Sequence, residues 1–152
     1  EEERNCVNEV DFGMCEEDIE YIMQKPYVAI CSDGQALSLE AAGQPHPRHF
    51  GAFTRVLSHY SRDRGLFPLE TAVQKMTGLP AARIGLQDRG LLRVGMWADM
   101  VQFDLAALES APTYSAPKQA SPGIERVFVN GILTAENGTH LGARAGHILR
   151  SH

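Results

Sequence analysis

The sequence has little that would commit it to a membrane, a nucleic acid or a disulfide framework. No run approaches the roughly 18 consecutive apolar residues that a membrane-crossing helix needs. The first residues, EEERN, are acidic, the reverse of the basic-then-apolar order of a secretory leader. The formal net charge is −5, with Lys and Arg scattered along the chain. That argues against nucleic acid or an anionic membrane surface as the main partner. Cysteine is scarce: Cys6, Cys15 and Cys31 are widely spaced, with no Cys-x-x-Cys. This pattern fits reduced, structural thiols in the cytoplasm better than disulfides, ligands or nucleophiles. A P-loop, Gly-x-Ser-x-Gly, Gly-x-Gly-x-x-Gly and His-x-His are also missing. Each absence removes a common signature of nucleotide binding, serine hydrolysis or paired-His zinc binding.

What is present is ordinary for a globular chain: 152 residues, 43% hydrophobic and 22% charged, enough for one core. Residues 16–24 place Ile19, Ile22 and Met23 on one face, with acids crowding the first turn, and predict a helix. Pro26 ends it. The unbroken apolar run Tyr27–Cys31 then reads as a strand buried on both faces, as in parallel sheets. Phe53, Val56, Leu57 and Tyr60 give a second helical stripe ending near Gly65. A third runs through Leu69, Ala72, Val73 and Met76 to Gly78, leaving Lys75 on an exposed side. A short turn starts at Pro80.

Near Asp88 the character changes. Residues 98–103 read as a strand, 105–123 as a long Ala-, Ser- and Pro-rich loop with little core, and the tail from Asn137 as extended. Asn130-Gly131 between two β-rich runs signals a type I′ hairpin. Trp97 is expected to pack a turn against the β part. The plan is α/β over about 1–87 and mostly β over about 88–152.

Two chemical features stand out in 27–51. Asp33 follows the apolar run, and in parallel α/β folds functional groups sit at the carboxyl ends of strands. A carboxylate there can take a proton from a bound water, or contact a metal. Ser-Asp-Gly is also a common turn composition, so a turn-capping Asp33 stays open. The second is His46-Pro47-Arg48-His49. Pro47 disfavours helix at His46, and this is not the His-x-x-x-His spacing by which one helix grips zinc. Arg48 suits bidentate carboxylate recognition, and a structural ion pair is its alternative. His59 suits surface or packing, and His140, His147 and His152 have no metal-ligand spacing.

The ordered series VDFGMCEEDIEYIM, VAICSDG, HPRHFGAFTRVLSHY, LETAVQKMTGLPAARIGLQDRGLLRVGMWADMVQFD, IERVFVNG and GARAGHILR resembles the C-terminal third of N-acyl-D-amino-acid deacylases, the D-aminoacylases of the amidohydrolase superfamily. The resemblance implies the C-terminal part of a TIM-like (β/α)8 barrel over 1–87, with 27–31 as its last strand. It also implies part of a small β-sandwich over 88–152. By the same resemblance Asp33 matches the catalytic aspartate that shuttles a proton from metal-activated water to the leaving nitrogen. Arg48 matches the arginine holding the α-carboxylate of a small-molecule N-acyl-D-amino acid. His46 and His49 become loop supports. Zinc is implied for the complete enzyme, whose His-x-His, bridging Cys and later metal His have no counterpart here. The expectation is therefore a C-terminal fragment with half of an active site, whose unpaired strand 27–31 favours self-association. A standalone non-catalytic module and a hydantoinase-type cyclic-amide hydrolase are the alternatives.

Overall fold

The computed structural model describes residues 13–149, so Cys6 and His152 lie outside the described residues. Helices fill the first part of the chain and an antiparallel sheet the last. The first helix, α1 (Glu16–Met23), starts with Glu16, Glu17 and Asp18, where unpaired N–H groups favour negative charge. It buries Met23 and leans Ile19 on the core.

The second helix begins earlier than its apolar stripe suggests. α2 (Arg48–Arg55) starts directly after Pro47, whose φ of −59° is already helical. It continues as a π-helical segment, Val56–Asp63, with bonds such as Arg64 N–H to the His59 carbonyl. The wider turn brings Val56, Leu57, Ser58, Tyr60 and Ser61 to the buried side, whereas Phe53 is 43% exposed. α3 (Leu69–Met76) follows Pro68 and buries Ala72 completely. α4 (Gly78–Arg83) completes this part.

Strands β1 (Met100–Phe103), β2 (Ile124–Val129), β3 (Ile132–Glu136) and β4 (Thr139–His140) form one antiparallel sheet in that order. Asn130 and Gly131 have φ of 51° and 79°, the pair of positive values a type I′ turn requires. Asn137 and Gly138 repeat this chemistry at 48° and 78°, so part of the expected extended tail returns as β4.

Three expectations need correction. Residues 27–31 carry no ladder and are not a buried strand: Tyr27 is 67% exposed, and Val28 and Ile30 are only half-buried. A strand exists through its neighbours, and among the described residues none lies alongside. The 105–123 loop is not without core. Leu108 is fully buried in the main cluster with Met23, Val56, Leu57, Tyr60, Phe67 and Ala72, and Arg62 Nη1 donates to its carbonyl at 2.6 Å. Lys75 is not exposed: 2% of it reaches solvent.

Candidate functional site

Residues 32–35 and the start of α2 are pressed together, and the sequence explains how. Asp33 has φ of 47°, the left-handed region that Asp enters more readily than most side chains. Gly34 N–H donates to Ser32 Oγ at 3.1 Å. A Cβ on Gly34 would stand 3.1 Å from His49 Cα and 3.3 Å from the Arg48 carbonyl oxygen. Glycine is thus what lets the loop lie on the helix start.

Two histidines fasten this contact. Gln35 N–H donates to His49 Nδ1 at 2.6 Å, and Arg48 N–H donates to His46 Nδ1 at 3.0 Å. Both rings accept through Nδ1, so in the neutral form each carries its proton on Nε2. The support role expected for His46 and His49 is met in these bonds. The His46 ring also meets Tyr114 edge-on at 5.2 Å. Burial holds the His46 pKa below its ordinary value, helped by the Arg48 and His49 charges and opposed by Asp33.

The clamp brings Arg48 Nη1 to 3.2 Å from Asp33 Oδ2. Arg48 is the first residue of α2, where a positive charge meets the positive end of the helix dipole, and the Asp33 carboxylate offsets that. Both side chains keep wide solvent contact, at 44% and 80% exposure. A carboxylate able to hold a proton and a guanidinium able to grip an anion therefore share one accessible surface.

The remaining singled-out residues lie elsewhere. His59 Nε2 is 3.6 Å from Glu16, His140 Nδ1 accepts the Gly142 N–H, and His147 meets Trp97 edge-on at 5.8 Å. Cys15 and Cys31 are free and exposed, so neither is packed as a structural thiol. Among the described residues no group of three or more His, Cys, Asp and Glu side chains could hold a metal ion. No helix there is long and apolar enough to cross a membrane.

A cavity of about 490 Å³ lies apart from Asp33 and Arg48, lined by residues including Leu86, Arg89, Trp97 and His147. Its arginine is already bound to Asp99 and Asn130. That side chain is only 10% exposed against 44% for Arg48, so the Asp33–Arg48 surface is the better candidate. Lys75 escaped sequence reasoning, although Ala72, one turn earlier and fully buried, marks the same helix face.

Residues 43–134 match the model of the amidohydrolase family. A D-aminoacylase of Alcaligenes xylosoxydans xylosoxydans is 46% identical over 138 residues, covering 91% of this chain and 28% of that protein. An N-acyl-D-glutamate deacylase from the same organism is 48% identical over 120 residues, covering 79% of this chain and 24% of its own length. Its N-acyl-D-aspartate deacylase is also 48% identical over 120 residues, covering 79% and 23%. Among solved structures, a D-aminoacylase reported as defining a novel subset of amidohydrolases superposes with a TM-score of 0.84 at 46% identity, over 91% of this chain and 28% of that one. An N-acyl-D-glutamate deacylase from Bordetella bronchiseptica, complexed with zinc and a phosphonate mimic of the reaction's tetrahedral intermediate, gives 0.78 at 40% identity over the same shares, 91% and 28%. The chain thus spans at most 28% of the length of these curated relatives.

Proposed function

This chain belongs to the amidohydrolase family, and from that premise we propose that it is the C-terminal portion of a metal-dependent N-acyl-D-amino-acid deacylase. The reaction is hydrolysis of a linear amide to a carboxylic acid and a D-amino acid. The observation that carries this reading is the agreement of three relatives, each 46–48% identical to this chain, on D-amino-acid substrates by name.

In this reading Asp33 moves the proton. Water adds to the amide carbonyl carbon, the Asp33 carboxylate takes a proton from it, and the carboxylic acid then protonates the leaving nitrogen as the C–N bond breaks. The left-handed backbone at Asp33 supports the assignment, because sparsely populated conformations concentrate at functional sites. Arg48 binds the α-carboxylate of the substrate and so orients the amide toward Asp33. Its present contact with Asp33 is the kind of exposed, replaceable pair that an incoming carboxylate can displace.

Zinc belongs to the complete enzyme. The described residues do not make a ligand set for it, and the chemistry assigned to this chain is limited to the proton and the carboxylate anchor. We further assign 1–87 to the end of a TIM-like barrel and 88–152 to part of a β-sandwich. The division between helices up to Arg83 and strands from Met100 supports that boundary.

The test is a panel of N-acetyl-D-amino acids against hydantoins with the complete enzyme, wild type and Asp33→Asn. The expected result is turnover of the acyclic substrates only, abolished in Asp33→Asn with zinc content unchanged. Turnover of hydantoins instead, or full activity in Asp33→Asn, would overturn the reading.

A further inference from the structure

Among the described residues Lys75 is the charged side chain that is buried, and neither packing nor the proposed chemistry accounts for it. It lies in the last turn of α3 with 2% of its surface exposed. Lysine is almost never so buried unless paired. Its Nζ meets no carboxylate among the described residues. It donates instead to two backbone carbonyls, those of Lys25 at 2.5 Å and Val28 at 3.0 Å. Desolvation holds its pKa below the ordinary lysine value, so the ammonium is there against a cost. Methionine would fill the same space without that cost.

An apolar side chain could not satisfy those carbonyls, and they belong to the segment that has no strand beside it. Lys75 also uses its backbone on the same segment: its carbonyl accepts the Ile30 N–H at 2.9 Å. One residue of α3 thus holds Lys25, Val28 and Ile30. Ile30 lies three residues before Asp33, and on the other side Gln35 is held by His49. Asp33 is therefore slung between two fixed points, one on α3 and one on α2.

We propose that Lys75 is a positioning residue: its ammonium and carbonyl pin the 25–30 segment to α3 and thereby set where the Asp33 carboxylate stands. The catalytic consequence rests on the role proposed for Asp33, and the pinning itself does not.

The experiment compares wild type, Lys75→Met and Lys75→Arg by amide hydrogen exchange and by steady-state hydrolysis of an N-acetyl-D-amino acid. In Lys75→Met the Ile30 amide should exchange at least tenfold faster, while the Ala72 amide, bonded to the carbonyl of Pro68 just before α3, keeps its rate. kcat should fall tenfold or more with KM within twofold, and Lys75→Arg, which keeps the donors, should recover part of it. An unchanged Ile30 amide overturns the proposal. So does faster exchange with kcat intact, or a loss that appears in KM alone. If Lys75→Met does not fold, Lys75→Gln keeps one donor group and is read by the same criteria. A wild type that hydrolyses no N-acyl-D-amino acid would refute the functional reading, while the Ile30 exchange rate would still decide whether Lys75 pins the segment.

Discussion

Replacing Arg48 by Gln separates a substrate anchor from a structural ion pair, because the two roles predict opposite magnitudes. The Arg48–Asp33 contact spans 3.2 Å between side chains 44% and 80% exposed. Exposed pairs of this kind contribute about 0–1 kcal/mol. Losing it should lower Tm by no more than about 4 °C in a chain of this size. Holding a substrate carboxylate is a different matter. Hydrogen bonds to charged groups contribute about 1.5–3 kcal/mol. Up to ~1 kcal/mol must be subtracted because the Asp33 contact gives way when substrate arrives. The net of about 0.5–3 kcal/mol corresponds to a KM roughly 2- to 150-fold higher.

The assay is steady-state hydrolysis of an N-acetyl-D-amino acid beside its α-carboxamide, which lacks the negative charge. The KM increase should appear with the acid and vanish with the amide, because only the acid offers Arg48 a partner. Equal losses on both substrates would refute the anchor. So would a Tm drop beyond about 8 °C with KM unchanged, since this exposed pair is worth too little to produce it.

Other consequences are equally direct. Leu108→Ala, at a fully buried position of the core cluster, should cost about 3 kcal/mol or more in urea unfolding; under ~1 kcal/mol would mean that the 105–123 loop is not part of the core. Gly34→Ala should reduce kcat at least tenfold with little loss of Tm, because its Cβ would push on His49 Cα from 3.1 Å; wild-type kcat would remove the need for close approach. Burial lowers the folded pKa of His46 below its ordinary 6.5, so the unfolded chain takes up that proton first as pH falls. Stability should therefore decline from about pH 6.5 down to the lowered folded value, and His46→Asn, which keeps an acceptor, should flatten that slope in Tm measured against pH.

Features governed by a few consecutive residues were legible in the sequence. Asn130-Gly131 needs two positive φ values, and the dipeptide supplies them wherever it is placed. The acids of α1 and the stripe of α3 likewise depend on one turn of helix. What was not legible depends on neighbours distant in sequence. The apolar run 27–31 looks like a buried strand only if other strands flank it. The burial of Leu108 depends on a loop lying across the core, anchored by Arg62. Asp33 and Arg48 could each be singled out, but their contact could not. It requires Gly34 to lie against the start of α2 and His49 to reach back to Gln35.

Several departures from local rules fall within one short stretch. The stretch 25–35 contains an apolar run without a ladder, a non-glycine residue with positive φ at Asp33, and carbonyls held by a buried ammonium. Each is unfavourable by itself, and each is compensated from outside the stretch, by Lys75 on α3 or by Arg48 and His49 on α2. A segment kept in place at such expense, rather than relaxed into a regular turn, is where conflict between local preference and overall fold points to function. That segment carries Asp33. The backbone and packing thus support the role proposed for Asp33, from observations that make no use of the relatives.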